Sequence, residues 1–258
     1  MRGNRLGMVC LMAWGMVTGV LGQQPAGRQV VEAAEQTLLS LGMEEIRVAQ
    51  TDSVCTIAYE DNIYRGTYRG LAAVIEALRS LPETEQATAY ELVVLDDRIP
   101  RLLLTLPRQT AALEVSYDTD EAMRRLKGKE SRNRMAGRID VVLYPELFLQ
   151  NSWLDKLYGV AVNFSPAIRM DLWKGAVLTG QVVLPVYTNM TDFRKYIRPG
   201  VITLRQEFRL PGGVLGRLTA GNFTGNRMGV DAALRYQPVR GRWVVGANVG
   251  LTGSSTCY

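Results

Sequence analysis

The hydrophobic period of the chain changes once. Up to about residue 115, apolar positions recur at helical spacing in two stretches, with short strand-like runs around them; from about residue 138 the period is two and stays two. In the first part, 28–41 (RQVVEAAEQTLLSL) predicts a helix. Val30, Ala34, Leu38 and Leu41 share a face, and Gly42 is a natural C-terminal stop. Strands follow at 45–49 and 54–60, the second placing Cys55, Ile57 and Tyr59 on one side. A second helix spans 69–81 and ends at Pro82; strands at 90–95 and 101–105 are joined by the turn Asp96-Asp97-Arg98-Ile99-Pro100. Two helices against a small sheet can bury one core, so 25–115 is expected to form an α/β module.

In the second part the alternation is regular. Tyr158, Val160, Val162, Phe164, Ile168, Met170 and Leu172 point one way, and Gly159, Ala161, Asn163, Ser165, Arg169 and Asp171 the other. Similar runs occupy 201–210, 228–236 and 243–251, and weaker ones 139–149, 176–187 and 215–223; Asn151-Ser152, Pro211-Gly212-Gly213, Gly225-Asn226 and 238–241 mark turns. The fold class expected is α+β: the module, then an antiparallel sheet over 138–258.

A soluble sandwich also alternates. Three features favour an outer-membrane β-barrel segment instead. Strands of about ten residues suit a tilted span. The polar face mixes both charge signs with Gly and Ala, and Arg205, Glu207, Arg209, Asp231 and Arg235 are the candidate lumen residues that pair inside it. Aromatics (Tyr158, Trp173, Tyr187, Phe208, Phe223, Tyr236 and Trp243) sit near strand ends, as interfacial girdles do. Barrels of this kind have an even strand number from eight upward, whereas about seven strands are counted here and the final LTGSSTCY is a weak closing strand. The chain is then a piece of a longer barrel, a strand has escaped the count, or the sheet is soluble; the first is the expectation.

The N-terminus explains how a membrane would be reached. Arg2 and Arg5 precede an uncharged apolar run (LGMVCLMAWGMVTGVL) that stops at Gly22-Gln23-Gln24-Pro25, the pattern of an export signal over 1–22. A retained anchor is the alternative, for which the run is short. The net charge of +5 is spread along the chain and does not indicate nucleic-acid binding. Arg124, Arg125, Lys127, Lys129, Arg132 and Arg134, with Arg138 just beyond, make 116–137 a charged linker, solvated or in contact with anionic lipid or glycan.

With no histidine, triad catalysis, His-ligated zinc and imidazole acid–base chemistry are excluded. Three cysteines, Cys10, Cys55 and Cys257, are too scattered for a metal site or disulfide framework, and Cys55 reads as a small buried hydrophobe. Asp96 and Asp97 are either turn residues or an acid pair. There is no glycine-rich phosphate loop and no metal-ligand spacing, so no cofactor is expected.

Two stretches resemble a known family. Over 41–65 the chain reads LGMEEIRVAQTDSVCTIAYEDNIYR, and 216–250 holds the hairpin YQPVRGRWVVG between two strands. Both are similar to the YjbH-type proteins, outer-membrane proteins associated with exopolysaccharide biosynthesis and export, the first to their repeated periplasmic module and the second to a hairpin of their barrel. Members of that family are longer, with more modules and a complete barrel. The resemblance implies a membrane and a pathway, and it brings no catalytic residue. The function expected is therefore non-enzymatic, in exopolysaccharide or capsule export, with outer-membrane lipid, polysaccharide and other envelope secretion components as partners and 188–198 as an external loop. The alternatives are a soluble periplasmic adaptor with a β-sandwich, and a carboxylate-dependent glycosidase using acids such as Asp171, Glu207 and Asp231.

Overall fold

The computed structural model describes residues 26–51, 53–65, 68–82, 86–108, 112–152, 156–190, 195–224, 227–239 and 243–254. The export signal expected over 1–22, Cys257 and the middle of the expected external loop lie outside the described residues.

The first half is a five-stranded sheet in the order β1-β2-β3-β4-β5. Helix α1 (Ala26–Ser40) leads into β1 (Glu44–Thr51), which pairs antiparallel with β2 (Val54–Glu60); α2 (Tyr68–Arg79) then crosses over to β3 (Ala89–Asp96), parallel to β2. Strands β4 (Ile99–Pro107) and β5 (Glu114–Ser116) complete it antiparallel. Gly42 ends α1 in the left-handed region (φ +74°), and a Cβ there would lie 2.2 Å from Ile63 Cδ1. Val30, Ala34 and Leu38 of α1, with Val74 and Leu78 of α2, pack on Ile46, Cys55, Ile57, Tyr59 and Leu92. Cys55 is the small buried residue its spacing implied; burial pushes its thiol up to about 12, so it is unreactive at neutral pH.

The opposite face of this sheet is also buried, and that corrects the reading of 116–137 as a charged linker. The segment contains helix α3 (Asp120–Arg125), and Ala122 and Leu126 cover Ala49, Ala58, Val93 and Leu95. Its later part returns to β1: Ile46 and Arg132 exchange backbone hydrogen bonds, and Glu45 accepts from Met135 N at 3.0 Å and from Ser131 Oγ at 2.8 Å. Every residue of β2 after Val54 is buried because alternate side chains enter different cores. The module thus extends through Met135.

The second sheet is a seven-stranded antiparallel meander, β6 (Ile139–Ser152), β7 (Lys156–Asp171), β8 (Ala176–Thr188), β9 (Arg198–Leu210), β10 (Val214–Thr224), β11 (Arg227–Tyr236) and β12 (Val245–Ser254), in sequence order and not closed. Strand β12 runs through Leu251–Ser254, so that stretch is more strand-like than its polarity suggested. β8 alternates weakly because register shifts on both of its sides throw neighbouring residues out of phase.

Burial in this sheet is inverted relative to a soluble one. On β6, Val141, Leu147 and Leu149 are 73%, 64% and 71% exposed. Ile168, Ile202, Leu218, Val230, Leu234, Val249 and Leu251 are exposed on the same side, while Ala161, Asn163, Ser165, Asp171, Thr203 and Glu207 are buried on the other. The aromatics form two levels. Trp173, Phe208, Tyr236 and Trp243 lie at the strand ends nearest the module, with Tyr236 and Trp243 edge to face at 5.9 Å; Tyr158, Tyr187 and Phe223 lie at the far ends. Phe208 covers Gly216, its cross-strand neighbour, where a Cβ would meet the ring at 2.3 Å.

Candidate functional site

The polar side of the large sheet receives the tip of the β3–β4 hairpin. Asp97 (φ 52°) and Arg98 (φ 63°) form a two-residue turn with both residues left-handed. Asn-Gly suits that geometry, and other L-residues pay about 1–2 kcal/mol each. Glu60 on the neighbouring β2 holds the turn, accepting from Asp97 N at 2.8 Å and Arg98 N at 2.9 Å. Burial pushes the Glu60 carboxyl up to about 7, although both amide bonds oppose the shift.

The Asp97 carboxylate, itself buried, accepts from Arg169 on β7 and Arg205 on β9. Burial raises its pKa while Arg205 and Arg169 pull it down. Its carbonyl accepts from Gly175 N at 2.8 Å, in the β7–β8 turn. Gly175 is required there: its φ is +75°, and a Cβ would lie 2.1 Å from Glu207 O.

Further ion pairs surround this contact. Arg101 on β4 donates to Asp96 at 2.9 Å and also pairs with Glu207, which lies 3.6 Å from Arg205. Arg209 donates to Pro100 O at 3.1 Å and to Tyr117 O, and lies 3.7 Å from Asp120. Arg138 pairs with Glu44 and, at 3.1 Å, with Asp140. Two adjoining cavities flank the hairpin, of about 680 and 640 Å³, and share Asp96, Arg101, Leu102 and Arg205 in their walls.

Of the five lumen candidates, Arg205, Glu207 and Arg209 meet at the module. Their nearest partners are module residues, because the hairpin is seated among them, and Arg205 and Glu207 also face each other at 3.6 Å. Asp231 lies 3.9 Å from Arg217. Arg235 has no hydrogen-bond or ion-pair partner among the described residues. Asp96 and Asp97, read as turn residues or an acid pair, do lie at a turn, and there they form part of an ionic junction. Glu60, Asp96 and Asp97 present carboxylate oxygens within 4.8 Å of one another, and all three accept from backbone amides or arginines. Asp171, Glu207 and Asp231 are likewise each ion-paired, with Arg169, Arg101 and Arg217 respectively. Arg101, Arg169 and Arg217 are not among the site residues the sequence predicts; a position on the polar side of an alternating strand is the signal that marks Arg169 and Arg217, and no such pattern marks Arg101 on the apolar β4.

No family model, no curated protein and no solved structure matches the chain.

Proposed function

We propose that the chain is a non-enzymatic outer-membrane protein of exopolysaccharide or capsule biosynthesis and export. On this reading the large sheet is part of a β-barrel and the module sits at its periplasmic end. The inverted burial of the sheet carries the proposal: a contiguous apolar face open to the surroundings, backed by buried Asn, Ser, Thr and Glu, is the distribution a lipid solvent favours. A soluble monomer rarely exposes so extended an apolar face. The two aromatic levels and the resemblance to YjbH-type proteins support the same reading. Lipid contacts the apolar face, and polysaccharide and other envelope secretion components are the partners on the polar side.

A soluble periplasmic adaptor is the second reading, and the unpaired edges of β6 and β12 favour it, since open edges leave backbone groups unsatisfied in hydrocarbon. The test is expression with the native N-terminus, envelope fractionation and heat-dependent gel mobility. Outer-membrane recovery with a mobility shift is expected; recovery in the soluble periplasm would replace the membrane reading with the adaptor.

A further inference from the structure

The cavity of about 640 Å³ is not electrically balanced along its length. On the wall formed by β4 and β9, Arg101 is shared by Asp96 and Glu207, and Arg205 by Asp97 and Glu207, so acids and bases answer each other. The adjoining part of the same sheet, β10 and β11, carries Arg217, directly across the β9–β10 ladder from Glu207, and Arg235. Within 4 Å Arg217 has one acid, Asp231, at 3.9 Å, and Glu207 faces it from β9; Arg235 has no partner among the described residues. Their placement follows from register: Arg217 opposes Ala233, and Arg235 lies two residues further along β11 on the same side. Such diagonal neighbours are about 7–8 Å apart, within reach of long side chains. Gly246 opposes Arg235 on β12, and even a Cβ there would touch only Leu234 O at 3.5 Å, so among the described residues β12 places no side chain directly across from Arg235.

From this arrangement we infer that Arg217 and Arg235 form a binding site for a carboxylate-bearing glycan segment, such as a run of uronic acid residues. The choice of a glycan rests on the export reading; the preference for an anion rests on the two arginines. Planar guanidinium forks bind carboxylates bidentately and are less strongly hydrated than lysine ammonium groups. Tyr117, half-buried in the same wall as Arg101, offers a ring edge and hydroxyl to a sugar, and Gln237 offers an amide. The partly enclosed position concentrates the positive potential and makes association salt-dependent.

The test uses the full chain in detergent micelles, titrated with hexagalacturonate, with neutral maltohexaose and with glycerol phosphate, after the membrane fraction of origin has been recorded. Hexagalacturonate is expected to bind, more weakly as salt rises, and the R217Q/R235Q variant to lose about tenfold or more in affinity with an unchanged thermal transition. R227Q, at the far end of β11, is expected to bind as the parent does. Equal affinity of R217Q/R235Q and the parent, equal binding of maltohexaose, or preference for glycerol phosphate would overturn the site. Outer-membrane recovery with a variant-insensitive affinity would sink the site and leave the export reading standing. Soluble recovery with variant-sensitive uronate binding would do the reverse.

Discussion

Replacing Asp97 by Asn tests the junction between module and sheet with little change of shape. Asn keeps the volume and tolerates the left-handed turn, so the backbone cost at this position stays constant. What is lost is one negative charge, 2% exposed, between guanidiniums that are 36% and 30% exposed. Removing one partner from a fully buried ion pair costs about 3–5 kcal/mol. Here the arginines keep partial hydration, and each keeps a second acid at 3.6 Å, Asp171 for Arg169 and Glu207 for Arg205. Discounting for both gives about 2 kcal/mol. The assay is urea unfolding of the micelle-folded chain, with Trp173, two residues from Gly175, as the fluorescent reporter of the junction. A double-mutant cycle with R205Q is expected to return a coupling of about 1 kcal/mol. A D97N stability within about 0.5 kcal/mol of the parent, or strict additivity with R205Q, would refute the idea that this ion pair fastens the hairpin to the sheet.

Further consequences can be measured on the same material. Glu60 has its folded pKa raised to about 7, so it retains its proton where the unfolded chain has released it; stability falls as pH rises from about 4.5 to 7 and then levels, a span of about 3 kcal/mol that E60Q should flatten in pH-dependent unfolding. Leu126→Ala opens the core beneath α3 and should cost about 2–4 kcal/mol, whereas a solvated linker residue would cost almost nothing. Gly175→Ala meets both a positive φ and a backbone oxygen at 2.1 Å, and should lower the thermal midpoint or prevent assembly of the β7–β8 turn. Leu204→Arg, near the middle of β9 on the apolar side, should cost about 2–4 kcal/mol of membrane assembly.

The elements were legible where one local rule governed them. Helical spacing marked α1 and α2, and period-two alternation marked all seven strands of the large sheet, including which residues share a side. The register shifts around β8 blurred its pattern, because a bulge reverses the phase that alternation relies on. Strand β5 and helix α3 went unread for a different reason. The first has three residues, and the second buries only Ala122 and, just beyond it, Leu126 among many charges, so tertiary contact decides what composition obscures. The site was half legible. Arg205, Glu207 and Arg209 stood out as charges on a polar face, but their partners lie about 90 to 110 residues earlier in the chain. Asp97 looked like a solvated turn residue because nothing local shows that a turn will be seated against another sheet.

The central claim is that the apolar side of the large sheet faces lipid and the polar side does not. Single cysteines placed in a C10S/C257S background, where the remaining Cys55 is buried, test it in native envelopes. The account predicts that cysteines at Ile168, Leu204 and Val230 resist a water-soluble maleimide until detergent is added, while cysteines at Arg217 and Arg235, facing the cavity, react in water. Rapid aqueous labelling at Ile168, Leu204 and Val230 in intact envelopes would contradict it.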